Sequence, residues 1–182
     1  MKKILFLIGV IILSPTILIS QEQDHNNLTN TVSLSKNFNE FKINGLLMLY
    51  GAFEGTYERT INEESAFGIS GLIAFDSELK DDVKYYISPF YRFYFGKKYA
   101  AGFFIEGFGM LNSLDRSIAL VSGPGDDFVT DFALGFAFGG KWITKGGFSV
   151  EWFNGLGRNL FNNGNTDYSL VLKGGINLGY RL

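Results

Sequence analysis

From Phe38 onward the chain alternates, residue by residue, between bulky apolar side chains and small or charged ones. A repeat of two belongs to the β-strand, whose successive side chains point to opposite faces. Across residues 128–139, one parity carries Phe128, Phe132, Leu134, Phe136 and Phe138, and the other Asp131, Ala133, Gly135, Ala137 and Gly139. The last segment sets Leu170, Leu172, Ile176, Leu178 and Tyr180 against Lys173, Gly175, Asn177, Gly179 and Arg181. Phe67, Ile69 and Ile73 oppose Ala66, Gly68 and Ser70; Phe103 and Ile105 oppose Phe104 and Glu106; Phe148, Val150 and Trp152 oppose Ser149, Glu151 and Phe153. Tyr85, Ile87, Tyr91 and Phe93 oppose Ser88, Arg92 and Tyr94, with Phe90 as an exception on the polar side. Near the start, Ile43, Leu47 and Leu49 oppose Lys42 and Asn44, and Phe53 and Tyr57 oppose Glu54, Thr56 and Glu58. The pattern predicts about eight strands, close to the roughly 9–11 residues that a tilted membrane-spanning strand needs.

The connections alternate as well. Residues 62–65, 96–98 and 141–146 are short links, whereas 76–83, 112–127 and 161–167 are longer and polar. Only the first hairpin, with a tight turn around Tyr50-Gly51-Ala52, departs from this order. Short turns at one end and long loops at the other characterise barrels of the bacterial outer membrane.

Side-chain volume decides which face points inward. An eight-stranded bore is just wide enough for side chains to fill it. The crowded Phe, Tyr, Trp, Ile and Leu parity would overpack such a bore, while the Gly, Ala and Ser parity fits it. The expected fold is therefore all-β: an antiparallel up-and-down transmembrane β-barrel of about eight strands, apolar outside. Tyr85, Phe95, Tyr99, Trp142, Tyr168 and Tyr180, near strand ends, suit the aromatic belts of a membrane interface, and Arg59 is placed to reach the headgroups.

The first 37 residues read differently. Lys2 and Lys3 precede an apolar run from Ile4 to Leu13, Pro15 breaks it, and Ser20 offers a cleavage point. Residues 1–20 are thus expected to be a signal peptide. Residues 21–37 are a flexible polar lead-in, and residues 38–182 are the barrel. The run is short for a helix crossing a membrane.

The inward parity carries charges of both signs: Glu54, Glu58, Arg92, Glu106, Asp131, Glu151 and Lys173, with Lys42 and Arg181 nearer an end. They read as a polar plug of mutually satisfied charges. A hairpin between the last two strands turning near Asn162 would set Glu151 opposite Lys173.

Three stretches resemble a known family: Tyr57-Glu58-Arg59, residues 89–96 (PFYRFYFG) and residues 102–109 (GFFIEGFG). They look like the family catalogued as domain of unknown function 3575, over roughly Glu40 to Leu182. The resemblance implies a small outer-membrane barrel similar to the OmpA transmembrane domain, with no settled activity to carry over. The closing Gly179-Tyr180-Arg181-Leu182 resembles the signal read by the barrel-assembly machinery, ending in Leu where an aromatic is usual.

The chain has no Cys, which removes thiol nucleophiles, thiolate metal sites and disulfides. His25, the only histidine, precedes the barrel, so routes using a His general base close. Glu54 and Glu58 share a face but stand about 13 Å apart along a strand, too far for a carboxylate dyad. Residues 122–127 (SGPGDD) lack the Lys and Ser or Thr of a phosphate loop. The loop acids lack calcium-loop spacing. A net charge of −2 with scattered Lys and Arg argues against a nucleic-acid partner.

The expected role is a non-enzymatic structural or loop-presenting barrel of the cell envelope, without cofactor or metal. Its expected surroundings are outer-membrane lipid and lipopolysaccharide, with the barrel-assembly machinery acting during insertion. The alternatives are a narrow pore or transport component and a soluble periplasmic ligand-binding barrel. The face assignment is directly testable. Leu134→Arg, on the outward parity, should cost about 2–4 kcal/mol near a bilayer midplane and impair assembly, whereas the inward Ala133→Ser should be tolerated. Equilibrium unfolding in lipid vesicles measures both.

Overall fold

The computed structural model describes residues 38–80, 83–115, 128–161 and 170–182. The signal-peptide segment, the lead-in with His25, residues 122–127 and most of the two longest loops lie outside the described residues. Eight strands form among those described: β1 (Asn39–Asn44), β2 (Ala52–Thr60), β3 (Ser65–Ala74), β4 (Val83–Tyr94), β5 (Gly102–Asp115), β6 (Phe128–Ile143), β7 (Phe148–Asn159) and β8 (Leu170–Arg181). Each pairs antiparallel with the next, and β1 pairs with β8 to close the barrel, with Glu40 opposite Arg181 and Ile43 opposite Leu178. Closure leaves no sheet edge with unpaired backbone groups.

Two short helices interrupt the pattern. The alternation of Ile43, Leu47 and Leu49 predicts a continuous strand, but β1 stops at Asn44 and α1 (Gly45–Leu49) follows. Asn44 is the cause: its Oδ1 accepts from the Leu47 backbone N–H at 3.2 Å, capping the helix. The return to β2 passes through Gly51 at φ 95°, a left-handed conformation that favours glycine. The connection after β3 contains α2 (Ser77–Lys80). At the other end, β6 runs to Ile143, so Lys141, expected in a turn, lies within a strand.

The outward parity is exposed, with Leu134 at 53%, Leu172 at 64% and Phe136 at 76%, while inward Glu58, Glu106 and Glu151 are each at 0%. This polarity is the inverse of a protein folded in water, where apolar groups go inside.

The bore is not lined by small and ionic groups alone. Tyr86, Phe90, Tyr94, Phe104, Phe108 and Phe153 are buried within it. Inward glycines on facing strands make the room. An added Cβ would meet the Phe90 ring at 2.4 Å from Gly68, the Phe108 ring at 2.4 Å from Gly135, and the Phe104 ring at 2.6 Å from Gly139. Glycine and ring therefore act as complementary halves of one packing unit, which explains how an eight-stranded bore accepts six aromatics. At Gly139 the backbone adds to the constraint, since Trp152 O stands 2.3 Å from the same Cβ position.

Gly139→Ala should therefore destabilise the barrel by about 1–3 kcal/mol through overpacking. Gly107→Ala, on the outer face where an added Cβ meets nothing within 4 Å, should change the denaturant midpoint little. Equal midpoint losses for the two variants would contradict the packing account.

Candidate functional site

The charged residues of the inward parity meet in the bore as one connected cluster. Glu58 of β2 is its centre. Its Oε2 accepts from Lys42 Nζ at 2.7 Å and Arg92 Nη1 at 2.8 Å. Its Oε1 accepts from Lys141 Nζ and, at 2.8 Å, from the Tyr94 hydroxyl. Glu151 of β7 shares two of these cations: its Oε2 lies 2.6 Å from Lys42 Nζ and 2.7 Å from Arg92 Nη1. Its Oε1 accepts from Asn177 at 3.1 Å. Arg92 turns its Nε to Glu106 at 2.5 Å, and the other oxygen of Glu106 accepts from Lys173 at 2.9 Å. Some of these bonds join consecutive strands, as Arg92–Glu106 does, and others cross the bore, as Lys42–Glu151 and Arg92–Glu151 do.

The cluster extends toward the short-turn mouth. Glu40 accepts from Ser149 Oγ at 2.6 Å, Lys141 at 3.1 Å and Arg181 Nε at 3.3 Å. Arg181 also donates to the carbonyls of Tyr99 and Ala100, at 2.9 and 2.8 Å. The β4–β5 turn is thereby drawn across the mouth. Tyr99, expected in an outward belt, instead packs edge-on against Phe38, with centroids 5.5 Å apart, and against the inward Tyr94–Phe104 cluster.

Aromatic faces complete the surroundings. The Arg92 guanidinium carbon lies 4.5 Å from the Phe90 ring centre and 4.3 Å from that of Phe104, and Lys141 Nζ lies 4.7 Å from Tyr94. Lys173 sits between Phe90 and Phe108, at 4.9 and 5.1 Å. Such contacts favour desolvated cations, because the ring face carries negative quadrupole density. Phe90, Tyr94, Phe104 and Phe108 thus have a second role beside filling space.

The bore cluster balances in charge: Glu40, Glu54, Glu58, Glu106 and Glu151 against Lys42, Arg92, Lys141, Lys173 and Arg181. A dry interior tolerates charges only when paired and hydrogen-bonded, and balance is the first condition for that. Glu54 differs from the other four carboxylates. Its Oε2 accepts from Asn44 Nδ2 at 2.6 Å, and its Oε1 has no hydrogen-bond partner among the described residues.

The seven residues expected from the sequence divide accordingly. Glu58, Arg92, Glu106, Glu151 and Lys173 are in direct ionic contact with the cluster, and Glu54 is joined to the wall through Asn44. Asp131 lies toward the long-loop end, where its Oδ1 accepts from the backbone N–H groups of Phe132 and Phe161 at 2.7 and 3.1 Å. Lys42, expected nearer an end, stands between Glu58 and Glu151. The expected Glu151–Lys173 pairing is corrected: Glu151 faces Asn177 across β7–β8, and Lys173 faces Gly155. The register between β7 and β8 differs from that expectation by an even number of residues, which preserves both faces but changes every partner. Glu40 and Lys141 were overlooked. Parity was the available signal, since Glu40 alternates with Lys42 and Lys141 with Gly139.

Chemically, this is a set of mutually neutralised ions rather than a reactive centre. Four of its five carboxylates have a cation within 4.0 Å. Among the described residues no group of three His, Cys, Asp or Glu is arranged to hold a metal.

The barrel is similar to a solved structure, the N-terminal β-barrel domain of OprF from Pseudomonas aeruginosa. The TM-score is 0.55 at 10% sequence identity, over 80% of this chain and 96% of that one. The two share one fold. At that identity the likeness extends no further than the fold. No family model matches the chain, so the resemblance to domain of unknown function 3575 rests on the three quoted stretches alone. No curated protein matches it either.

Arg92→Met should cost about 3–5 kcal/mol, because it leaves three buried carboxylates one cation short and the bore with a net negative charge. Adding Glu151→Gln restores charge balance and should recover part of that loss. A double-mutant cycle in denaturant tests this: strict additivity would show that the ions do not act as a unit.

Proposed function

We propose that this chain is an integral outer-membrane barrel with a closed bore, acting as a structural and loop-presenting element of the cell envelope and not as an enzyme. The observation that carries the reading is the inverted polarity. An exterior exposing Phe, Ile, Leu and Trp from all around the barrel has no stable place in water, whereas a hydrocarbon slab is its matching solvent. Strand lengths of 9–16 residues from β2 to β8 agree with that setting. Outer-membrane lipid and lipopolysaccharide would then be its surroundings, and the barrel-assembly machinery its route of insertion.

The filled bore weighs against the pore reading. Between the long-loop side and the short-turn mouth stand the six rings, the ion cluster and the Arg181–Tyr99 closure. A soluble ligand-binding barrel would need an empty interior, and these same groups occupy it. What distinguishes the chain is then presented by its long connections.

Spin labels at Phe136 and Leu172 should collide with membrane-dissolved oxygen and be shielded from water-soluble quenchers. The opposite pattern would overturn the lipid-facing reading. In planar bilayers the protein should remain electrically silent, and a steady ohmic conductance would overturn the closed bore.

A further inference from the structure

A groove of about 770 Å³ crosses the outer face of the barrel from β8 over β1 and β2 to β3 and β4. That volume is within the range of small-molecule pockets, roughly 300–1,000 Å³. Its lining includes Gly55 and Gly71, cross-strand partners that both lie on the outward parity. Ile43, Phe53, Tyr57, Ile69 and Ile87 wall it.

Neither glycine is required by the protein's own packing. A Cβ on Gly71 would meet only Tyr86 O, at 3.9 Å, and one on Gly55 only the Phe53 ring, at 3.5 and 3.8 Å. Neither is among the positive-φ glycines. Inward glycines such as Gly68 and Gly139 lie against rings of the same chain, whereas these two leave an open notch on the apolar side.

A charge stands at one end of the groove. Arg59 is two residues beyond Tyr57 on the same outward face of β2, exposed, one position before the strand ends. It is about 13 Å from Gly55 along the strand. It makes no ion pair among the described residues. Glu58, its chain neighbour, is buried on the opposite face in the bore, and Glu63 and Glu64 lie in the turn below.

We propose that this groove seats one phospholipid of the leaflet at the short-turn end, with an acyl chain over Gly55 and Gly71 and its phosphodiester on the Arg59 guanidinium. The inference rests on the lipid-embedded reading. A guanidinium matches phosphate geometry with paired donors, and the apolar length beyond it suits a chain running toward the bilayer centre. A second copy fits less well. A two-fold axis along the membrane normal would bring two unpaired Arg59 side chains to the same height across the contact.

The test reconstitutes the protein into vesicles of phosphatidylethanolamine and phosphatidylglycerol, extracts it in mild detergent and counts retained lipid by native mass spectrometry. The wild-type barrel should keep one phospholipid. Gly71→Leu, which fills the notch, should lose it, and Arg59→Gln should lower retention roughly tenfold or more. Gly107→Leu, an outward glycine on β5 outside the groove, should retain lipid as the wild type does. Retention indifferent to Gly71→Leu, or a dimer that Gly71→Leu dissolves, overturns the proposal while leaving the embedding intact. Failure of the wild-type protein to enter vesicles overturns both.

Discussion

Ten ionisable side chains share a bore too narrow for much water, and the rest of the barrel is organised around that constraint. An isolated charge in such a place is costly, so each must find opposite charge and hydrogen bonds within reach. Arg92 shows how this is met: three carboxylates from three other strands converge on one guanidinium, with rings above and below it. Glu106 is the cross-strand neighbour of Arg92, whereas Glu58 and Glu151 come from strands that do not pair with β4. The cluster is complete only when β1, β2, β4, β5, β6, β7 and β8 are all in register. Its net contribution to stability is modest, since buried ion pairs seldom exceed what apolar groups of equal volume would provide. Its greater effect is on specificity, because a slip of one residue would turn every ion toward the outer face.

The aromatic groups divide by the same logic. Outside, Phe, Ile and Leu meet whatever solvent surrounds the barrel. Inside, six rings fill space and shield cations. The inward glycines are what make this possible. They remove wall volume at the points where rings from neighbouring strands need it, so the bore is closed by packing rather than by a separate plug domain. The Arg181 contacts with the β4–β5 turn close the short-turn mouth, using a residue adjacent to the chain's last position.

Alternation was enough to read two unlike faces and about eight strands, because strand geometry imposes a period of two wherever the two sides meet different media; side-chain volume then assigned the faces. The seven inward charges fall on one parity for the first of these reasons. Boundaries were less legible. Asn44 ends β1 by capping a helix, an interaction that competes with continued strand and leaves no mark on the periodicity. Lys141, expected in a turn, continues β6, and Gly139 before it makes room for the Phe104 ring. Phe90, the exception to the alternation, is half of a packing unit with Gly68.

The order of side chains along the chain determined by itself that there would be two unlike faces, that bulky groups would lie on one, and that ions of both signs would lie on the other. Which ion meets which was decided only by the closed barrel. Pairing depends on the register between strands and on the circumference that brings β1 against β8, and neither quantity is local. A two-residue displacement of one hairpin leaves every face unchanged and every partner different, which is why Glu151 meets Arg92 and Lys42 across the bore rather than Lys173 beside it.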